Sequence, residues 1–534
     1  MKKITLITIS LIVAVTGNSI SQNLPDVQVG VHHDSDIEFT VTNFGILGSE
    51  GGNYIDPETG FPAPGVEFPL GSDIEYLFLG ALWIGAVVDT VDENGNPVLD
   101  TLVSVGNDGW WSTICELWPP PVGEDSFWED QVIGDEEFFA IYSDTSTDSR
   151  YIPNDPTDNR PHIPLGLKIT QNSIGWSSDG MDQLFIINYV LENIGGRSLH
   201  DAWIAIYYDG DVFHLSENPN QGAQDDLCGF IQHGNYGIGW IIDNDGQPES
   251  GDFTSISPRG ATGIIPLGAS QPGLQTNFNW WISNVNTEYD WGPQLQSNFD
   301  IWESFPCGGI GTPCGDKAKY QIMSNSEHDY GQIWSALDHT EDGWIPGVSN
   351  AENIADGFDA RFLISFGSLE IAPGAVETVT VAMIAGDNIH VDPENFSQRL
   401  ENHTDDSLSI AEYYDNLDFS EFLEVAGAAI DFYESQTSVD DNNIALPAKT
   451  TLMQNYPNPF NAQTTIRFRL AEPGNTRIVV YNIVGQQVAL LHDGIKQAGE
   501  HSFRWNADEL PSGIYFARLI AGDVHRSVKL ILLK

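Results

Sequence analysis

Gln183-Leu-Phe-Ile-Ile-Asn-Tyr-Val-Leu191, a turn at Asn193-Ile-Gly-Gly196, then Ala202-Trp-Ile-Ala-Ile-Tyr-Tyr208 is the stretch that decides the fold class. Both runs are short, β-branched and aromatic, and a Gly-containing turn joins them, which reads as two strands. The second run is apolar on both faces, so it belongs in the middle of a sheet covered on both sides. Further along, Val376-Glu-Thr-Val-Thr-Val-Ala-Met-Ile384 begins by alternating Thr with Val after a Pro373-Gly374 turn, the mark of a half-buried strand. The 52 Gly and 29 Pro of the 534 residues supply the many tight turns such strands need. The chain reads as all-β: a large β-sandwich-type body with a short helical segment, followed by a C-terminal immunoglobulin-like β-sandwich.

The boundaries follow from local pattern. Met1-Lys2-Lys3, an apolar run Ile4–Val15 and small residues at Ser19 and Ser21 make residues 1–21 a secretory signal peptide with cleavage before Gln22. That run is too short to span a bilayer, which takes roughly 20 residues, and no later stretch is long and apolar enough to serve as a transmembrane anchor. Residues 22–391 form the β-rich extracellular body. Residues 392–436 turn helical: Asp418 and Glu421 resemble a capping box, and Phe422, Val425, Ala426, Ala429, Ile430 and Tyr433 recur at helical spacing. Residues 437–447 are polar and aperiodic, a linker. In residues 448–534, Ile466, Phe468 and Leu470 alternate with Arg467 and Arg469, and strands follow at 478–481, 501–505, 514–519 and 527–533.

Charge is divided the same way. Residues 22–447 hold 9 Lys+Arg against 70 Asp+Glu, whereas residues 448–534 hold 10 against 6. So acidic a body excludes nucleic acid as a general partner, because phosphate binding needs a basic footprint. It also disfavours an anionic membrane surface.

Four motifs in the last segment carry functional information: Asn455-Tyr456-Pro457-Asn458-Pro459-Phe460-Asn461, Tyr481-Asn482-Ile-Val-Gly485-Gln-Gln-Val488, Leu510-Pro-Ser512-Gly513-Ile-Tyr515, and Lys529-Leu-Ile-Leu-Leu-Lys534. In order, spacing and terminal position this segment resembles the type A C-terminal sorting domain of the type IX (Por) secretion system of Bacteroidetes and related bacteria. Ala462 departs from it, where the family often has Pro. The resemblance implies passage through the periplasm, recognition by the type IX outer-membrane translocon, and release or attachment to surface lipopolysaccharide, commonly with removal of the tail. The loops of Asn458, Asn461 and Gly485 and the last strand are the expected recognition surface. The body resembles only exported proteins bearing the same tail, through Asn188–Asn193 and Ala372–Gly386, and that likeness brings no activity.

The body itself shows no His-Glu-x-x-His, Gly-x-Ser-x-Gly, Walker loop or complete EF-hand loop. The expectation is a non-catalytic binding or structural body; the alternative is a secreted hydrolase acting on glycans or peptides through acids from distant loops. No cofactor is certain. Calcium is the possible one, because Asp209 and Asp211 end a strand and Asp225 and Asp226 follow on a Gly/Asn-rich loop. Asp243-Asn-Asp245-Gly246 and Asp92-Glu-Asn94-Gly95-Asn96 are further acidic turns, and Asp and Asn are also simply good turn residues. His32-His33-Asp34 reads as an exposed polar turn, as does Glu327-His328-Asp329. Trp110-Trp111 and Trp280-Trp281 would each present one ring outward from a strand, where it could stack on an extracellular glycan. Of the four cysteines, Cys307 and Cys314 flank a Gly-rich segment and are expected to bond, leaving Cys115 and Cys228 to pair or stay free.

Overall fold

The computed structural model describes residues 27–91, 94–109, 115–120, 126–178, 180–217, 224–282, 291–298, 311–337, 342–346, 357–395, 408–437, 451–452, 455, 460, 462–470, 474–482, 486–496, 499–507, 510–522 and 524–532. The chain forms two compact units, 1–434 and 435–534.

The first unit is built on two antiparallel sheets. Among the described residues one has eleven strands; its order runs Leu79–Val91, Leu199–Asp209, Arg361–Ile371 and ends on Gln275–Trp281. The other has eight, running from Asp226–His233 through Tyr236–Asp243, Ala261–Ala269, Val376–Gly386 and Leu184–Asn193 to Phe127–Asp130. The strands Leu184–Asn193 and Leu199–Asp209 do not pair: the first lies between Leu167–Gly175 and Val376–Gly386, the second between Leu79–Val91 and Arg361–Ile371. The turn at Asn193–Gly196 therefore carries the chain from one sheet to the other. Sequence shows two strands and a turn; whether the turn closes a hairpin or crosses between sheets depends on partners far away in the chain.

Alternation explains the layering. In Leu199–Asp209, Ile204, Ile206 and Tyr208 face the core between the sheets, packed with Ile187, Tyr189, Val381 and Met383 of the other sheet. Trp203, Ala205 and Tyr207 point the opposite way, into a second cluster closed by Tyr320, Ile322 and Met323 of helix α1 (Gly315–Ser324). The strand is thus central and covered on both faces. Helix α2 (Gln332–Leu337) adds Ile333 to a third cluster, on the outer face of the eight-stranded sheet.

That outer face is covered by helices α3 (Ile410–Asp415) and α4 (Ser420–Thr437), through Tyr413, Phe422, Val425, Ala426, Ala429 and Ile430. The helical spacing predicts that face. The cap differs. The capping box belongs to α3, where Ser409 and Glu412 bond reciprocally. Asp418 instead accepts from Ser420 N at 3.0 Å ahead of α4.

Among the described residues the second unit is a sandwich of seven strands. Thr451–Leu452, Gln463–Leu470 and Gly499–Asn506 form one sheet; Gln487–Lys496, Gly474–Asn482, Gly513–Ala521 and Val524–Leu532 form the other. Ile466, Phe468, Ile478, Val480, Ala517 and Leu519 fill the space between.

Candidate functional site

Acidic side chains gather where the two sheets of the body meet at one end of their strands. Asp209 closes its strand directly opposite Arg361, whose Nε donates to Asp209 Oδ1 at 2.9 Å. Tyr207 donates to the other oxygen at 3.0 Å, and Arg361 also holds Asp359 at 2.6 Å. Burial pushes the Asp209 carboxyl up against the pull of Arg361. Asp211 is raised further, by burial and then by Asp209 and Asp359. Asp226 accepts from Val212 N at 3.2 Å. It stands across the strand pair from Asp243, and both are fully buried.

The sequence reading grouped Asp209, Asp211, Asp225 and Asp226 as one calcium site. Asp209 is engaged by Arg361 and Asp226 by a backbone amide, and Asp211 and Asp225 stand near enough to Asp226 for their charges to push its carboxyl up. Among the described residues no group of three or more His, Cys, Asp or Glu stands as a metal cluster. Arg361, the residue that organises half of this acid, was missed; the available signal was a lone Arg opening an otherwise apolar strand.

The histidine turns are corrected too. His32 is buried, with Nδ1 3.1 Å from Glu136 Oε2 and Nε2 2.9 Å from Ser173 Oγ, amid the rings of Phe138 and Phe185. Ser, His and Glu in this order resemble a hydrolytic triad, but His32 and Ser173 are wholly buried, so here the constellation pins strands together. His33 binds Glu38 at 2.6 Å and Asp56 at 3.3 Å, which hold its imidazole above its usual range against the pull of burial. In Glu327-His328-Asp329, Asp329 Oδ2 accepts from Trp280 N at 2.9 Å.

Trp280 and Trp281 are both fully buried, so neither presents a ring to a sugar. The reason is that their strand is covered on both sides, Trp280 by the inter-sheet core and Trp281 by the α1 cluster. Trp110 and Trp111 lie outside the described residues.

A small polar cavity lies beside the start of α1, among Glu116, Asp155, Arg160, His162, Asp316 and Lys319. Its free volume is about 10 Å³, room for one water. Arg160 reaches Asp316 at 2.7 Å, His162 reaches Glu116 at 3.1 Å and Lys319 reaches Asp108 at 3.3 Å. Asp155 accepts from Asp316 N at 2.9 Å, supplying from a distant loop the cap that Cys314 does not. Burial, then Glu116, pushes the Asp316 carboxyl up to about 7.

Cys314 is disulfide-bonded, and its expected partner Cys307 lies outside the described residues. Cys115 and Cys228 are free thiols, so the pairing left open between them is not formed. They sit in different surroundings, Cys115 donating to Leu117 O at 3.3 Å and Cys228 packed beside Gln332.

In the tail, several motif residues are structural. Asn455 is buried and donates to Thr464 Oγ1 at 2.8 Å. Phe460 fills the core, and its N–H donates to Ile531 O at 2.9 Å, holding the terminal strand. The Asn482 side chain closes its turn by donating to Gln486 Oε1 and accepting from Gln486 N, both at 2.9 Å. Tyr515 Oη reaches back to Pro511 O at 2.8 Å, a tyrosine corner of the kind immunoglobulin-like sandwiches use. Ser512 and Gly513 are exposed on that turn, and Lys529 is exposed opposite Phe516. Tyr481 is half-buried beside the same residue. Ala462 sits at φ +68, a conformation closed to Pro. Tyr456, Pro457, Asn458, Pro459, Asn461 and Gly485 lie outside the described residues.

A sandwich with this corner, carrying these motifs, defines the class of the tail. Residues 454–533 match the family model of the secretion system C-terminal sorting domain. The tail is a type IX sorting domain; it marks the chain for the cell surface or extracellular space and for interaction with the type IX machinery.

No curated protein matches the chain. Among solved structures, a polysaccharide lyase shares 9% identity, with 96% of this chain and 47% of that one covered and a TM-score of 0.25. PorZ of Porphyromonas gingivalis, an essential surface component of the type IX secretion system, shares 10% identity, with 95% and 51% covered and a TM-score of 0.13. The chain spans about half the length of each, and at these TM-scores neither likeness carries an argument. Among the described residues no helix is long and apolar enough to cross a membrane.

Proposed function

We propose that residues 22–447 are a non-catalytic binding or structural body, which the type IX route delivers outside the cell after a signal peptide at 1–21 has been removed. What supports this most is that the reactive-looking side chains of the body serve one another: Asp209 holds Arg361, His32 holds Glu136 and Ser173, and His162 holds Glu116. The cavity beside His162 and Glu116 takes about one water. Attachment to surface lipopolysaccharide, or binding of an extracellular glycan, belongs to the same reading. An unbiased hydrolase screen on the exported protein is expected to stay blank, and N-terminal sequencing is expected to start at Gln22. Saturable turnover in that screen would refute the non-catalytic reading.

A second reading, a hydrolase on glycans or peptides, has one observation in its favour. Asp316 is pushed up to about 7, and a carboxyl raised by burial into the neutral range is what a general acid in hydrolysis needs. If turnover is found, Asp316→Asn is expected to abolish it.

A further inference from the structure

The acid at the strand ends falls into two halves with opposite fates. Asp209 and Asp359 share Arg361. Asp225, Asp226, Asp243 and Asp245 make no ion pair among the described residues, and for the first three burial and neighbouring carboxylates push the acids up together. Asp226 and Asp243 are directly opposed across the strand pair, an arrangement that destabilises a sheet when both are charged.

The turn Asp243-Asn244-Asp245-Gly246-Gln247 shows what this acid is shaped for. Asp243 Oδ1 accepts from Asp245 N at 3.0 Å and Gly246 N at 2.5 Å. Gly246 permits the fold with φ +72; a Cβ there would also meet His390 at 3.0 Å. One oxygen thus holds the turn. The other, Oδ2, is buried with no partner, on a residue that is 0% exposed. Its charged neighbours are Asp225 and Asp245. Asp225 Oδ1 is likewise buried without a partner, and so is Gln247 Oε1 in the same turn. All three are acceptors. A buried acceptor without a donor costs about 1–3 kcal/mol. Three of them together, two on acids that make no ion pair among the described residues, are matched by a hard cation rather than by another side chain.

We propose that Asp225 and Asp243, with Asp245 beside them, bind a calcium ion at the end of the strand pair Asp226–His233 and Tyr236–Asp243. The site is not a finished cage of three carboxylates. Calcium accepts such a set, completing six to eight ligands with neutral carbonyl oxygens and water, and sites of this kind in extracellular modules bind at roughly 10⁻⁴–10⁻³ M. Asp209 and Asp211 lie outside the ligand set. The inference does not depend on whether the body is catalytic.

The test is calorimetric titration and thermal melting of the full chain with calcium chloride, against magnesium chloride at equal ionic strength to account for general screening of an acidic surface. Calcium alone is expected to give saturable heat and a raised melting point. Asp225→Asn/Asp243→Asn keeps the shape and the turn acceptor; it is expected to lose at least tenfold in calcium affinity and to melt no lower than the parent without calcium. Should that double variant not fold, Asp245→Asn is expected to weaken calcium several-fold. No saturable heat, an equal response to magnesium, or an unchanged calcium response in the variants overturns the proposal.

Discussion

The body and the tail are both antiparallel sandwiches, yet they treat their outer faces differently. In the body, helix α1 covers the outer face of one sheet and α3 and α4 that of the other, so Trp281 and Phe422 are as buried as residues between the sheets. In the tail, the outer face of the four-stranded sheet carries Leu490, Ile514 and Phe516 at 47%, 44% and 39% exposure. Lys529 and Arg518 lie on the same face, Lys529 opposite Phe516. The body covers the outer faces of these two sheets with helices. The tail keeps an apolar and basic surface open. A cargo unit has to be stable and soluble, whereas a sorting unit has to be read by something else.

That contrast can be broken most directly by deletion. Without residues 448–534 the body retains its own cores and is expected to fold, while surface delivery falls to background and the protein collects in the periplasm. Cell fractionation and surface protease accessibility measure it, and normal delivery of the truncation would remove the basis for treating the tail as the sorting unit.

Next in size are core substitutions. Arg361→Leu leaves Asp209 and Asp359 without their cation and is expected to cost about 3–5 kcal/mol, read by chemical denaturation. Phe422→Ala opens the α4 face and is expected to cost about 3–5 kcal/mol as well. A near-silent Phe422→Ala would mean that the helices are accessory and the body resembles the tail after all.

A smaller effect comes from pH. Asp316 has its folded carboxyl at about 7, above its unfolded value, so the folded state binds the extra proton and stability falls as pH rises through that range. Lowering pH from 8 to 6.5 is therefore expected to raise stability by about 1 kcal/mol from this group. Below that, His32 and His390 begin to act in the opposite sense, because burial holds both imidazoles neutral. A melting point that falls steadily between pH 8 and 6.5 contradicts this. Smallest of all, Phe516→Ser on the open tail face is expected to change tail stability by only about 0.5 kcal/mol. A much larger loss would show that this face is covered, as the faces of the body are.

Much of the fold was legible because burial writes periodicity into a chain. The two-faced apolar strand Ala202–Tyr208, the helical face from Phe422 to Ile430 and the seven-stranded tail are all visible in residue spacing. The candidate site was legible only in part. Acid in turns is visible, but which acid meets Arg361 and which meets other acid is set by strands about 150 residues apart in sequence, as the Asp209–Arg361 separation shows. His32 looked like part of a surface turn because its neighbours His33 and Asp34 are polar; it is buried because Glu136 and Ser173 arrive from other strands to satisfy both ring nitrogens. Trp280 and Trp281 could not be assigned because strand alternation places two rings on opposite faces without saying whether either face is covered.

The sequence by itself determined the class of each unit, the charge divide between them and the sorting motifs of the tail, since these depend on local spacing, composition and order along the chain. Only the tertiary structure decided that the turn after Leu184–Asn193 changes sheets, that Arg361 neutralises Asp209, and that Asp243 keeps a buried oxygen without a donor. Pairing, neutralisation and desolvation are properties of what lies across a strand or a layer, and that is fixed by packing between distant segments.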